Sequence, residues 1–332
     1  MTTLRVLLHV AAQRDYELHS LDFSTAFLAG QPARGDLAGP PTWLHWAPRE
    51  WHDTLRTTLA ALGFSPFTAD PLLFLRTDTS LPPFYVLVYV DDLVFAIADT
   101  EALTLVKSEL QKRDACTDLG ELRSYLGLQN TWDRARRTIT LTQSHMVHQS
   151  VESNGPYPEL VGCLMYLMTC TRPDLAYPLS LLACYVAPVR RAWDSCLEDG
   201  VQLSSPLTQT LLGSSCEVEI YSGAMAAQEL RWLTYLLTDL GEQPRSPPVL
   251  YVDNKAMIAL CREHRLEHIT KHIALRYFLA RELQQRGQLR LANVATRANT
   301  ADVSTKALPP GDHQRFSTVL GLAPTLPHLL SA

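Results

Sequence analysis

An adjacent acidic pair, Asp91-Asp92, stands between two apolar runs that are rich in β-branched and aromatic residues, at positions 84–90 and 93–97. Runs of this kind are typical of strands, and the acidic pair between them indicates a tight hairpin. Two carboxylates held on a rigid turn repel each other unless a cation lies between them. Hard oxygen ligands of this type suit Mg²⁺, which keeps coordination positions for substrate phosphates. The pattern therefore predicts a divalent metal site at the hairpin.

A centre that transfers phosphoryl groups with two metal ions needs a further anionic ligand from elsewhere in the chain. Asp22 is the candidate, because it ends one short apolar pattern and begins another within residues 19–28. Taken alone, such an acid is more often a helix cap or a turn residue than a metal ligand. Its interpretation depends on what stands beside it in the fold.

Together, the segment L-D-x-x-x-A-F-L at residues 21–28 and Y-V-D-D at residues 89–92 resemble the reverse transcriptase palm of copia-type retrotransposons. The resemblance continues in the same order through most of the chain. Its further segments are A-P-R-E-W at 47–51, L-G-E-L at 119–122, Y-L-G-L at 125–128, T-R-P-D at 171–174 and Y-V-D-N at 251–254.

This resemblance implies an RNA-directed DNA polymerase that extends a DNA primer along an RNA template with deoxynucleoside triphosphates. By resemblance, Asp22 and Asp91 would bridge two Mg²⁺ ions, for which Mn²⁺ is a possible substitute, and Asp92 would assist. The implied fold is α+β, with a palm and shortened fingers followed by a truncated ribonuclease H-like α/β domain. Glu219, Asp253 and Asp302 would match three of the four metal-binding acids of that second domain.

The resemblance also predicts how the chain is divided into domains, and the boundaries fall where the family segments change. The four parts are a remnant of palm and fingers at 1–149, a shortened connection at 150–213, a partial ribonuclease H-like domain at 214–322 and a tail at 323–332.

Two departures from the family pattern bear on activity. Only residues 30–46 remain of the extended fingers segment, and the strands that carry the first acid of the ribonuclease H domain are absent. The leading hypothesis is therefore a reverse transcriptase impaired by deletions. The alternative is a non-enzymatic remnant of a decayed element, and a ribonuclease H-type nuclease is the third hypothesis.

Composition restricts the class of protein. Hydrophobic residues make up 46% of the 332 residues, which is enough to build cores. The net charge of −5 is unusual for a protein that grips nucleic acid, because Lys and Arg supply most sequence-independent affinity for phosphates. The seven cysteines have no C-x-x-C spacing, which favours reduced thiols in an intracellular protein of the cytoplasm or nucleus. No segment is predicted to span a membrane.

The periodicity of apolar residues predicts the elements that position these acids. Asp53 is expected to cap a helix whose apolar face is formed by Leu55, Leu59 and Leu62 and which stops at Gly63. A second helix, predicted at residues 100–113, should place Leu103, Val106 and Leu110 on one face and Lys107, Glu109 and Lys112 on the other. The remaining predictions are helices at 3–13, 222–239, 255–262 and 270–286, strands at 17–22, 137–142, 248–252 and 288–294, and a loop at 30–42.

Overall fold

The computed structural model describes residues 1–23, 43–76, 78, 82–113, 115–146, 157–184, 215–262 and 279–322. Within these ranges the chain has the predicted α+β character, and it separates into two units. The first unit comprises residues 1–142 with 239–241, and the second comprises residues 143–238 with 242–332. The predicted loop at 30–42 lies outside the described residues, and the predicted division into four domains stays a prediction.

The elements of the first unit alternate between helices and strands. The helices are α1 (Thr2–Arg14), α2 (Trp43–Ala61) and α3 (Thr100–Arg113). The strands are β1 (Glu17–Phe23), β2 (Phe64–Pro66), β3 (Leu73–Arg76), β4 (Phe84–Tyr89), β5 (Asp92–Ile97), β6 (Cys116–Glu121), β7 (Ser124–Tyr125), β8 (Leu128–Asp133) and β9 (Thr138–Thr142).

A six-stranded antiparallel sheet organises this unit, in the order β2-β3-β4-β5-β1-β6. The predicted hairpin of β4 and β5 lies inside the sheet, and its strands are buried along nearly their whole length. Phe84, Val86 and Val88 of β4 join one core cluster with buried residues of α2 and α3. Strands β7, β8 and β9 form a second, three-stranded antiparallel sheet.

The prediction that Asp53 caps a helix is wrong, because α2 begins at Trp43 and Asp53 lies well inside it. Trp51, Leu55 and Leu59 recur every four residues and are all buried, so the apolar stripe starts before Asp53. The predicted stop at Gly63 is confirmed. This glycine has a φ of 86°, the left-handed conformation that commonly follows the end of a helix.

The predicted placement of Lys107 on the polar face of α3 is also wrong. The bounds of α3 are as predicted, but Lys107 is only 5% exposed. Its Nζ atom lies 2.5 Å from Oδ1 of Asp118 and 3.1 Å from Nδ1 of His19. A long aliphatic stem can pack among apolar groups when its ammonium group finds such partners. Helical periodicity alone does not reveal a partner on another strand.

The second unit has a small parallel sheet of two strands with helices around it. Its core contains Ala227 of the long helix, Met257, Leu283 and Leu291. The predicted strands are confirmed, and the predicted helix at 222–239 is confirmed with an earlier start. Its elements are α4 (Tyr157–Cys170), α5 (Ala176–Ala183), α6 (Ser215–Asp239), β10 (Val249–Val252), α7 (Lys255–Arg262), α8 (Leu279–Gln285), β11 (Arg290–Asn293), α9 (Asp302–Thr305) and α10 (Pro310–Val319).

Among the helices of the described residues, none combines sufficient length with sufficient apolar character to span a membrane.

The core of the first unit makes a stability prediction that one helix can test against itself. Leu110 of α3 is fully buried, whereas Leu105 on the same helix is 67% exposed. We expect Leu110→Ala to lower the free energy of unfolding by about 2–5 kcal/mol, since it removes buried methyl groups and leaves a cavity. The matched Leu105→Ala should change it by about 0.5 kcal/mol or less. Urea unfolding measures both, and equal losses would contradict the packing described here.

Candidate active site

The acidic pair occupies the tip of the β4–β5 hairpin. Tyr89 pairs with Asp92 across the two strands, which leaves Val90 and Asp91 as a two-residue turn. Val90 has a φ of 59°, and Asp91 is not among the residues of positive φ. A positive φ at the first turn residue alone is the pattern of a type II′ hairpin turn, whose twist matches that of the flanking strands. The turn therefore fixes where both carboxylates leave the backbone.

Strand β1 brings Asp22 to the same place. In the antiparallel pairing of β1 with β5, Asp22 lies directly opposite Asp92. The next residue, Phe23, donates its backbone N–H to the carbonyl oxygen of Asp91 at 3.0 Å. Asp22, Asp91 and Asp92 are all partly buried. The structure thus gathers the three predicted site residues at one edge of the hairpin, although they are far apart in sequence.

A tryptophan on α2 forms a hydrogen bond with the backbone of the hairpin turn. The indole N–H of Trp51 donates to the carbonyl oxygen of Val90 at 2.6 Å, and the ring packs edge-on against Phe23, with 4.9 Å between ring centroids. Sequence reasoning placed Trp51 in a family segment but gave it no role. A signal was available, because a tryptophan in a buried stripe must find an acceptor for its N–H.

The electrostatics of the site are those of crowded acids. Partial burial raises the pKa of Asp92 above its ordinary value, and the negative charges of Asp91 and Asp22 raise it further. Within the described part of the chain, no Lys or Arg forms an ion pair with any of the three. Their charges are near enough to interact and are not balanced by a basic side chain there.

Tyr125 of β7 is a further neighbour that sequence reasoning missed. Its side chain is buried, and the pKa of its phenol is raised by burial and by the charges of Asp92, Tyr89 and Asp91. The phenol is therefore a neutral group in the electrostatic field of these acids. The signal in the sequence was again a polar tip on a residue within an apolar run.

The second predicted group of acids is brought together only in part. The side-chain amide of Asn299 donates to Oδ2 of Asp253 at 3.3 Å and to Oδ1 of Asp302 at 3.2 Å. Lys306, which directly follows α9, forms an ion pair with the same oxygen of Asp302 at 2.9 Å. Glu219 lies in α6, and its side chain falls outside the described residues. The metal-binding role of this group stays a prediction.

Among the residues that the structure describes, no group of three or more His, Cys, Asp or Glu side chains is arranged to hold an ion by itself.

Comparison with known proteins relates this geometry to a family. Residues 42–158 match the family described as reverse transcriptase (RNA-dependent DNA polymerase). This range contains Asp91, Asp92, Trp51 and Tyr125, whereas Asp22 lies outside it.

Three plant proteins each align with 97% of the length of this chain. The retrovirus-related Pol polyproteins from transposons RE2 and RE1 of Arabidopsis thaliana are 28% and 26% identical. The retrovirus-related Pol polyprotein from transposon TNT 1-94 of Nicotiana tabacum is 23% identical. The chain spans only 28–32% of the length of these relatives.

The alignment with the RE2 polyprotein extends over 419 residues, although this chain has only 332. The relative therefore has segments within the aligned stretch that this chain lacks. The family match and the three alignments together identify the chain as a fragment of a copia-type retrotransposon polyprotein that includes a reverse transcriptase domain.

Proposed function

We propose that this chain carries the palm of an RNA-directed DNA polymerase and that Asp22, Asp91 and Asp92 form its catalytic site. The observation that carries the proposal is the register of β1 with β5, which sets Asp22 opposite Asp92 beside the hairpin turn. The partners are an RNA template, a DNA primer and a deoxynucleoside triphosphate. In the reaction, the primer 3′-hydroxyl attacks the α-phosphate, a new P–O bond forms, and pyrophosphate leaves.

The donor set of this site fits divalent magnesium, with Mn²⁺ as a substitute. Mg²⁺ is usually held by one or two carboxylates together with waters and substrate phosphates, and it does not need a cage made only of protein ligands. Partial burial and the charges of Asp91 and Asp22 raise the pKa of Asp92, and a cation among these acids would stabilise its ionised form. Asp22 and Asp91 would hold two ions, with Asp92 assisting. When bound, such ions lower the pKa of the attacking hydroxyl and balance charge on the leaving group.

In this chemistry, the fold of the protein holds the catalytic carboxylates in fixed positions. The strained turn at Val90 aims Asp91, and the hydrogen bond from Trp51 holds that turn in place. Tyr89 and Val90 are 49% and 41% exposed, so the tip of the hairpin is open to a bulky substrate. Orienting a primer terminus and a triphosphate before reaction removes much of the entropic cost of bringing them together.

We further propose that the activity of this copy is weak. The alignment with longer relatives passes over segments that are missing here, which is consistent with the shortened fingers. The chain has 29 basic and 34 acidic residues, so little positive charge is available to neutralise phosphates. A polymerase with these properties should release its template readily as salt rises.

We propose no nuclease function for the second unit, which has the β-α-β order of part of a ribonuclease H-like domain. Asn299 donates to one carboxylate oxygen of Asp253 and to one of Asp302, and Lys306 forms an ion pair with Asp302. A carboxylate that is paired with an ammonium group is a poorer ligand for a second cation.

The charge cluster predicts a stability effect at Asp92. Because its pKa is raised, the folded protein holds this proton more tightly than the unfolded chain does, so ionisation destabilises the fold as pH rises through the interval above the ordinary value. In the absence of divalent ions, Asp92→Asn should therefore raise the melting temperature at pH 7. Its advantage should fade below the ordinary pKa of an aspartate, where the native carboxyl is already neutral.

Thermal unfolding across a pH series, with a chelator present, measures this effect. The control is Asp53→Asn on α2, whose side chain is 64% exposed and whose charge is not among the causes that raise the pKa of Asp92. A lower melting temperature for Asp92→Asn at pH 7 would show that the carboxylate is stabilised in a way that this site does not account for.

Primer extension tests the proposed activity. On a homopolymeric RNA template with a DNA primer, Mg²⁺ and low salt, we expect the addition of a few nucleotides. Incorporation should fall steeply as salt rises and disappear in Asp91→Asn, while Asp53→Asn keeps it. If the native chain incorporates no more nucleotide than Asp91→Asn does, the result would favour a non-enzymatic remnant. Long products at physiological salt would contradict the proposed weakness.

Hybrid cleavage tests the second unit. We expect no release of labelled fragments from an RNA–DNA hybrid in Mg²⁺ or Mn²⁺, because the acids of this unit are paired and incomplete. Denaturing electrophoresis of the labelled strand is the measurement, and Asp253→Asn is the control. Cleavage that is lost in Asp253→Asn would establish the third hypothesis in place of this prediction.

A further inference from the structure

A cavity of about 390 Å³ lies in the second unit, between α6, α8 and the segment that joins α6 to β10. Its volume is within the range of small-molecule sites in proteins. Pro248 and Leu289, which directly precede the parallel strands β10 and β11, both line it. Asp253 follows the other end of β10, and a strand of four residues spans about 13 Å. The cavity and the acids of this unit therefore belong to opposite edges of the sheet.

One face of α6 forms a wall of this cavity. The exposed part of that wall consists of Arg231, Thr234, Tyr235 and Thr238. Spacings of three, four and seven residues place side chains on the same side of a helix. Tyr235 is 54% exposed, so its ring is accessible to a bound molecule. The wall thus offers a flat aromatic surface one helical turn from a guanidinium group.

A second wall is the segment at 243–248, Gln-Pro-Arg-Ser-Pro-Pro. Its three prolines have a fixed φ, so Arg245 stands on a stiff piece of backbone. Arg231 and Arg245 are both exposed, and within the described part of the chain neither side chain forms an ion pair or a hydrogen bond. The described residues of the lining include no Asp or Glu. The cavity therefore carries two unbalanced positive charges in a chain whose net charge is −5.

Buried apolar side chains complete the lining, together with amides. Leu283 and Leu289 are each 3% exposed, and Ala227 is fully buried. Gln243 and Gln288 contribute side-chain amides, which can both donate and accept hydrogen bonds. An alkyl chain has no use for amides, whereas a nucleobase has donors and acceptors along its edge and flat faces that stack on aromatic rings. The lining thus favours a planar heterocycle that carries an anionic group.

We propose that this cavity binds a nucleoside phosphate, either free or as one unit of a single-stranded nucleic acid. Arg231 and Arg245 contact the phosphate, for which guanidinium groups are well suited, and Tyr235 stacks on the base. The inference does not rest on the proposed polymerase activity, because this site uses neither the carboxylates of the hairpin nor a metal ion.

Photocrosslinking tests where a strand is bound. A short single strand that contains iodouracil is irradiated with the full chain in the presence of a chelator. Trypsin cleaves after Arg231 and after Arg245, so Tyr235 lies in the peptide 232–245. We expect mass spectrometry to find the crosslink on this peptide, and the yield to fall in Tyr235→Ala. Crosslinks confined to other peptides would overturn the proposal.

Fluorescence anisotropy of the same strand tests the role of each side chain. Arg231→Gln and Arg245→Gln should each weaken binding and reduce the slope of log K against log salt by about 0.7, the value for one phosphate contact with a single strand. Tyr235→Ala should weaken binding about 10-fold and leave the slope unchanged, because loss of stacking releases no counterions.

Arg262→Gln is the matched control, since Arg262 is an exposed arginine at the end of α7 and is not among the residues that line the cavity. It should change neither affinity nor slope, and circular dichroism checks that every variant folds. If Arg262→Gln weakens binding as much as Arg231→Gln does, binding reflects general charge and the proposal is overturned. Unchanged binding in all four variants would overturn it as well.

Competition with a free deoxynucleoside monophosphate identifies the source of the ligand. Displacement of the strand would show that the cavity takes a single nucleotide, and a lack of displacement would assign the site to a strand, provided that the variants weaken binding as expected. Neither measurement involves primer extension. This inference and the proposed function can therefore fail separately.

Discussion

The antiparallel pairing of β1 with β5 is the constraint on which the candidate site depends. Leu21 and Phe23 are buried in the core, and Asp22 between them points to the other face of the strand. A slip of one residue would expose both apolar side chains and turn Asp22 into the core. Each such side chain contributes about 1.5–3 kcal/mol through burial. The hydrophobic effect that builds the sheet therefore also determines which acid faces Asp92.

The hairpin and its acids could be predicted from sequence because their signal is local. Two apolar runs separated only by two acids predict a hairpin with few alternatives. Gly63 predicts a helix end because glycine readily adopts a positive φ. The failures concern residues whose placement depends on distant partners. Lys107 is buried because Asp118 on β6 meets its charge, and α2 starts before Asp53 because Trp51 packs on the sheet. The helical periodicity of apolar residues predicts neither the contact of Lys107 with Asp118 nor that of Trp51 with the sheet.

The acids at the hairpin and the acids of the second unit differ in whether a basic side chain balances their charge. Asp91 and Asp92 form no ion pair with a described basic residue, and burial together with the charges of Asp91 and Asp22 raises the pKa of Asp92. Asp302 is buried, yet Lys306, the residue that follows α9, forms an ion pair with it and balances its charge. The resemblance to a family predicted acids in both places, whereas the neighbours of each acid determine what it can bind.

The conformation of Val90 has a consequence for motion. A β-branched residue held at positive φ costs about 1–3 kcal/mol, so the turn would relax if it were released. Two contacts prevent this, one from the indole of Trp51 and one from the backbone of Phe23. Since both residues belong to the core, the tip of the hairpin can rearrange only when the core opens locally, an event far rarer than the fluctuation of a surface loop. The tip should therefore remain rigid on the timescale of side-chain and loop motions, and a substrate would have to adapt to it.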